Sequence, residues 1–173
     1  MSYLIETERL YLRRLTESDT TDLFELDSNP KVHKHLGNNP VKSLEESQNQ
    51  IKNVLKQYEE FGIGRLAIIN KETKEFIGWS GIKFERELRT EFDYYDLGYR
   101  LKEIYWGHGY ATEAAIGSLE YGFNELRLNE INACADVNHV VSNKILKKIG
   151  FIPDGNFTFE GSLINWFFLK NKA

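Results

Sequence analysis

The 173-residue sequence contains one cysteine, one methionine and three prolines. Cys134 alone cannot form an intrachain disulfide, so a disulfide scaffold is excluded and a reducing compartment is expected. No stretch approaches the roughly 18 apolar residues of a membrane span. The segment from Met1 to Arg14 mixes charge with apolar residues and lacks the unbroken apolar run of a secretory signal. A cytoplasmic location with no membrane partner is therefore expected. Basic charge does not dominate either. With 22 Lys and Arg against 26 Asp and Glu, the formal net charge is -4, and a broad basic face for nucleic acid is not expected. Any anionic ligand must be gripped locally. A mildly acidic surface suits a cationic substrate, and it equally serves solubility. Repeats, low-complexity tracts and Pro/Gly/Ser-rich linkers are missing, so residues 1–173 are read as one domain. His33 and His35 are two apart, no other His, Cys and carboxylate set has metal-ligand spacing, and no metal is expected.

What is present is a sequence able to build one core: 41% hydrophobic and 13% aromatic residues, enough at this length to bury about two-thirds of the unfolded surface. Leu10, Leu12 and Leu15 with Tyr11 read as a first strand, and Ser18-Asp19 can cap a short helix through Leu26. Asn29-Pro30 is expected to start another short helical turn. Ser43-Leu44-Glu45-Glu46 fits a capping box, after which Ile51, Val54, Leu55, Tyr58 and Phe61 recur at helical spacing up to Gly62. Strands are predicted at Arg65 to Asn70, Phe76 to Phe84 and Tyr94 to Leu101, with a charged, mobile connection over residues 85 to 93. Ala115, Leu119, Phe123 and Leu126 mark a helix from Ala111. A strand from Ile131 to Ala135 follows, then a helix from Val141 to Ile149 ending at Gly150, then strands Phe151 to Phe159 and Leu163 to Lys170. This pattern is α/β (α+β): a mixed sheet covered by helices.

Between a predicted strand and an amphipathic helix lies Trp106-Gly107-His108-Gly109-Tyr110-Ala111-Thr112-Glu113. Unpaired backbone N–H groups and the positive end of the helix favour an anion there. Gly107 and Gly109 allow close approach, and Thr112 can add a hydroxyl donor. An isolated Gly-x-Gly also serves simply as a tight connection. No Gly-Lys-Ser/Thr follows, so a Walker loop is excluded, and a dinucleotide fingerprint lacks its third glycine.

Four separated features resemble the GNAT superfamily of acyl-CoA N-acyltransferases, in particular its ribosomal-protein N-terminal acetyltransferase branch. They are Glu6-Thr7-Glu8-Arg9-Leu10 with Leu12-Arg13, Asp96-Leu97-Gly98-Tyr99, the glycine turn running into Ala111-Thr112-Glu113-Ala114, and Ser142-Asn143-Lys144 leading to Gly150-Phe151. They span nearly the whole chain in the family's order. The resemblance implies a mostly antiparallel mixed sheet of about seven strands, splayed in the middle beside Tyr94 to Leu101 and flanked by helices. It implies that acetyl-CoA is held at its pyrophosphate by the backbone around Gly107, His108, Gly109, Tyr110, Ala111 and Thr112, with the thioester in the splay. Two departures stand out. Trp106 occupies a place where the superfamily often has Gln or Arg, and His139 stands where Asn is usual, with Asn138 one residue earlier; either side chain is a candidate contact for pantetheine.

The implied reaction passes acetyl directly to an amine, either a protein N-terminal α-amine or a small amine. It needs a neutral amine, a polarised carbonyl and a proton for the departing thiolate. An α-amine with pKa near 7.7 to 8.0 demands less of a base than a lysine near 10.4. Asp96 stands where the family often carries Glu and is the first candidate base; it reads equally as a carboxylate paired with Arg100 on the same strand face. Glu103 is a weaker candidate. Backbone N–H groups from Leu97 to Tyr99 would polarise the carbonyl. Ser142 either donates to the leaving sulfur, as the resemblance implies, or caps its helix. Asn143 is expected beside pantetheine, and Lys144 occupies the family's Lys/Arg place. Cys134 has no evident base partner and reads as a small buried side chain. A silent acyl-CoA-binding relative is the rival reading. The aromatic stretch Asn165-Trp166-Phe167-Phe168 fits either a strand edge that pairs two chains in a homodimer or a buried strand within a monomer.

Overall fold

A computed structural model describes residues 2–173; Met1, the first residue of the N-terminal segment read above, lies outside them. Twelve elements follow in chain order: β1 (Ile5–Glu6), β2 (Leu10–Arg14), α1 (Thr20–Asp27), α2 (Leu44–Phe61), β3 (Arg65–Asn70), β4 (Phe76–Glu85), β5 (Tyr94–Leu101), α3 (Tyr110–Glu120), β6 (Glu130–Asp136), α4 (Val140–Lys148), β7 (Ile152–Phe159) and β8 (Ser162–Lys170). The strands form one sheet in the order β1-β2-β3-β4-β5-β6-β8-β7. The eighth strand, beyond the seven or so expected, is the two-residue β1, which folds back on β2 with Ile5 opposite Leu12. Too short to show alternation, it carries no period in the sequence.

Local chemistry explains the boundaries. The Ser43 side chain accepts from the Glu46 amide at 3.3 Å and caps α2, while Gly62 ends it in the left-handed conformation with φ 71°. The helix expected to run from Ala111 through Leu126 stops at Glu120 and continues as a π turn over Tyr121–Glu125. Gly122 lies there against Ile82 and Ile131, with no room for a Cβ. After Asn29-Pro30 the chain makes a run of turns rather than a helix.

The connection from β4 to β5 is anchored where a mobile segment was expected. The Glu85 carboxylate accepts the amides of Arg86, Glu87 and Leu88 at 2.9 to 3.1 Å, and Arg89 lies against aromatic rings of β7 and β8. The stretch around Trp166 is internal, since β8 is hydrogen-bonded to β6 on one side and β7 on the other. It therefore offers no free edge to a second chain.

Every pairing in the sheet is antiparallel except β5 with β6, which are parallel and register at one pair only, Asp96 opposite Asn132. The two strands share no register beyond that pair, as the expected splay requires. Alternation along β5 divides the residues beside it between two faces. Leu97 packs in the cluster with Ala115, Leu119 and Leu146 of α3 and α4. Arg100 reaches Asp27 of α1 at 2.6 Å on the other face. The core of β2, β3 and α1 lies on that second side, around Leu15, Leu23, Leu26, Ile51 and Ala67.

Candidate active site at the splay

Two structures meet where β5 and β6 part. The first is the turn between β5 and α3. Gly107 and Gly109 adopt φ of 78° and 80°, a region that strongly favours glycine. The first helical hydrogen bond is Glu113 N–H to the Gly109 carbonyl at 3.1 Å. The amides of Tyr110, Ala111 and Thr112 therefore precede any helical acceptor and stand at the positive end of α3. Gly107, His108 and Gly109 are exposed and Tyr110, Ala111 and Thr112 half-buried, so this main chain is open to a ligand. The Trp106 indole donates to the Leu101 carbonyl at 2.9 Å, tying the turn to the end of β5.

The N-terminal motif braces this turn, a role the sequence reading did not assign. One Glu113 carboxylate oxygen accepts from the Thr7 hydroxyl at 2.6 Å and the Arg9 amide at 2.7 Å; the other accepts from Arg9 Nε at 2.7 Å. Arg9 Nη1 also donates to the His108 carbonyl at 2.9 Å, and the guanidinium lies 4.4 Å from the centre of the Tyr110 ring. Burial alone would raise the Glu113 pKa, but the Thr7 and Arg9 hydrogen bonds outweigh it and hold it below the usual carboxylate value. Thr7 and Arg9 lie about a hundred residues from Glu113, and no local spacing links them.

The second structure is the splay itself. Asp96 is buried on the α1 face of β5, and its partner is Arg65 of β3, at 2.5 Å, rather than Arg100. Arg65 Nη1 also donates to the carbonyls of Gly81 and Asp96, both at 2.6 Å. Gly98 makes this geometry attainable, since a Cβ there would lie 2.6 Å from Arg65 Nη2. The other carboxylate oxygen, Asp96 Oδ1, is buried with no hydrogen-bond partner among the described residues. Burial raises the Asp96 pKa, against the opposing pull of Arg65 and Lys83. Arg100 is absent from this pair because Asp27 of α1 takes it. Glu103 is committed to Lys31 at 2.7 Å and to Asn29 at 2.8 Å, which argues against a role as base.

On the opposite face, the Tyr99 hydroxyl spans to α4, 3.0 Å from Ser142 Oγ and 3.3 Å from the Ser142 carbonyl. Burial pushes the Tyr99 pKa up to about 12, so the phenol remains protonated. Ser142 does not cap α4; the N-cap position is His139. The Asn143 side chain donates to the carbonyls of Asp136 and His139 at 2.9 and 2.8 Å and accepts from Asn165 at 2.9 Å. It locks the β6-to-α4 turn onto β8. Asn138 is exposed, with its backbone N–H on Asp136 Oδ1 at 2.8 Å. His139 stacks on His35 with ring centres 4.6 Å apart. Lys144 is exposed on α4. Burial raises the Cys134 pKa far above an ordinary thiol, which suits a packed side chain and not a nucleophile.

A parallel strand pair that shares one register beside a helix whose N-terminal amides stand free is the arrangement that the resemblance to acyl-CoA N-acyltransferases implies. Residues 9–152 match the acetyltransferase (GNAT) domain family, and the chain belongs to it. It is 31% identical over 152 residues to the uncharacterized N-acetyltransferase YoaA of Bacillus subtilis, covering 88% of this chain and 84% of that one. Among solved structures it resembles an acetyltransferase from Agrobacterium tumefaciens, with a TM-score of 0.79, 26% identity and coverage of 96% and 94%. The same fold occurs in RimL, a ribosomal L7/L12 alpha-N-protein acetyltransferase solved with coenzyme A, at a TM-score of 0.80, 17% identity and 99% coverage of each chain. The chain is thus an acyltransferase of the GNAT type.

Proposed function

We propose that the protein transfers acetyl from acetyl-CoA directly to a primary amine, with both substrates bound together. The observation that carries this reading is the placement of Asp96 and Ser142 on opposite faces of β5 at the parting of β5 and β6. A thioester threaded through the splay would turn its carbonyl carbon toward the Asp96 side and its sulfur toward Ser142. The amides of residues 107–112 would hold the pyrophosphate, and main-chain N–H groups from Leu97 to Tyr99 would receive charge developing on the carbonyl oxygen. In the transfer the amine nitrogen bonds to the carbonyl carbon and the C–S bond breaks. The nitrogen's surplus proton passes to Asp96 Oδ1, directly or through water, and Ser142 Oγ, held by Tyr99, donates a hydrogen bond to the departing sulfur.

The raised Asp96 pKa makes it a stronger base than an exposed carboxylate, as proton abstraction requires. The acceptor is a protein N-terminal α-amine or a small amine. The fold's use of coenzyme A in RimL supports acetyl-CoA as the donor. The test is thiol release from acetyl-CoA across a panel of peptide N-termini and small amines, with mass measurement of the acetylated product. Thiol appearing in step with an acetylated amine supports transfer. Acetyl-CoA binding with only slow, amine-independent hydrolysis would instead identify a silent binding module.

A further inference from the structure

Away from the splay, the β4-to-β5 connection places a cation among aromatic rings. The Arg89 guanidinium carbon lies 4.9 Å from the ring centre of Phe92, 4.9 Å from Phe157 and 4.8 Å from Trp166. Tyr94 backs these rings, meeting Trp166 edge-on at 4.7 Å and Phe92 at 6.0 Å. The faces of Phe92, Phe157 and Trp166 thus converge on one charge, the arrangement that holds organic cations.

Arg89 is a poorly satisfied occupant. Its Nε is buried without a hydrogen-bond partner among the described residues. Its one carboxylate, Glu91, stands 3.4 Å away with a side chain 60% exposed. A residue whose purpose was to pin the loop would be expected to spend its five donors better. The Tyr94 hydroxyl is likewise buried and unpartnered, on a residue only 5% exposed. Tyr94 and Asp96 share one face of β5, two residues apart, about 7 Å along the strand.

We propose that Phe92, Phe157 and Trp166, backed by Tyr94, form a subsite for the second cationic group of a diamine-type acceptor, and that Arg89 is an internal cation the acceptor displaces. This rests on the acetyl-transfer reading and adds the acceptor's charge pattern to it. One nitrogen reacts beside Asp96 while the other, still charged, lies in the subsite, so the span between them selects the acceptor's length.

The test compares α,ω-diamines with monoamines of the same chain length on the full-length protein and three variants: Arg89→Ala, Arg89→Met, which keeps an apolar stem should the alanine variant fold poorly, and Phe157→Ala. Two readouts are used, thiol release and tryptophan fluorescence during diamine titration without acetyl-CoA. The wild type is expected to prefer a diamine of matching length in kcat/KM. Either Arg89 variant is expected to raise that preference about tenfold through KM, the scale of one or two strong cation–π contacts. Phe157→Ala is expected to erase most of it. Saturable fluorescence change that tightens in the Arg89 variants supports the subsite even if no amine releases thiol, in which case only the transfer reading fails. Equal changes for monoamines and diamines, or no fluorescence response in either Arg89 variant, would overturn the subsite and leave Arg89 a loop anchor.

Discussion

The glycine turn and the splay do adjacent jobs with opposite materials. The turn presents main chain: its side chains are exposed or half-buried, and what it offers a ligand is N–H groups fixed by two left-handed glycines. The splay presents side chains. Asp96 and Ser142 are buried and held by Arg65 and Tyr99 from other points in the sheet. Backbone groups survive side-chain substitution, whereas a buried charged or hydroxyl group does not. The two regions should therefore respond to mutation in different currencies, the splay in turnover and the turn in cofactor affinity and stability.

The largest expected effect breaks the splay. Asp96→Asn keeps the shape but removes the proposed base, and kcat should fall about a hundred- to ten-thousand-fold with little change in KM for acetyl-CoA. In the wild type, activity should climb as pH rises through the raised Asp96 pKa, because only the deprotonated carboxylate accepts a proton. Steady-state kinetics across pH checks both, and a variant retaining that rising limb would count against Asp96.

Next comes the brace beneath the turn. Glu113→Ala removes the acceptor of three hydrogen bonds to Thr7 and Arg9 and should cost about 2–3 kcal/mol in denaturant unfolding. Because the Glu113 pKa is depressed in the folded state, the stabilisation is present above the ordinary carboxylate range and lost as pH falls through the depressed value. The difference between wild type and variant should shrink on acidification.

Gly109→Ala should cost roughly 1 kcal/mol for the left-handed backbone and raise KM for acetyl-CoA severalfold at near-normal kcat. A Cβ there also comes within 3.4 Å of Arg9 Nη2. The smallest effect is expected at Trp106→Phe, which loses the hydrogen bond to Leu101 and about 0.5–1 kcal/mol, with kcat within about twofold of wild type. A turnover loss at Trp106 as large as that at Asp96 would erase the distinction between the two regions.

Much of the fold was legible because its periods are strong. Helix α2 carries its cap, its apolar stripe and its terminal Gly62 in the sequence, and strands β3 to β6 carry theirs. β1 was missed because two residues cannot alternate visibly. The connection after β4 read as mobile because its anchor, the Glu85 carboxylate over three amides, leaves no local pattern. At the site, Asp96, Ser142 and the glycine turn were legible as motif positions. Their partners were not. Asp96 was matched to Arg100 by strand alternation, but Asp27 of α1 claims Arg100 and the neighbouring strands bring Arg65 across the cleared space above Gly98. Asn143 likewise has a partner, Asn165 of β8, that no local spacing announces.

The sequence by itself determined the order of elements from α2 onward, the two glycines at the start of α3 and the family to which the chain belongs. Those rest on local backbone preference and on residues read in order. Only the tertiary structure decided that Arg65 rather than Arg100 meets Asp96, that Tyr99 holds Ser142, and that Thr7 and Arg9 brace the turn through Glu113. Each of these is a contact between residues distant in the chain, and strand order and register bring such residues together in ways that no local spacing encodes.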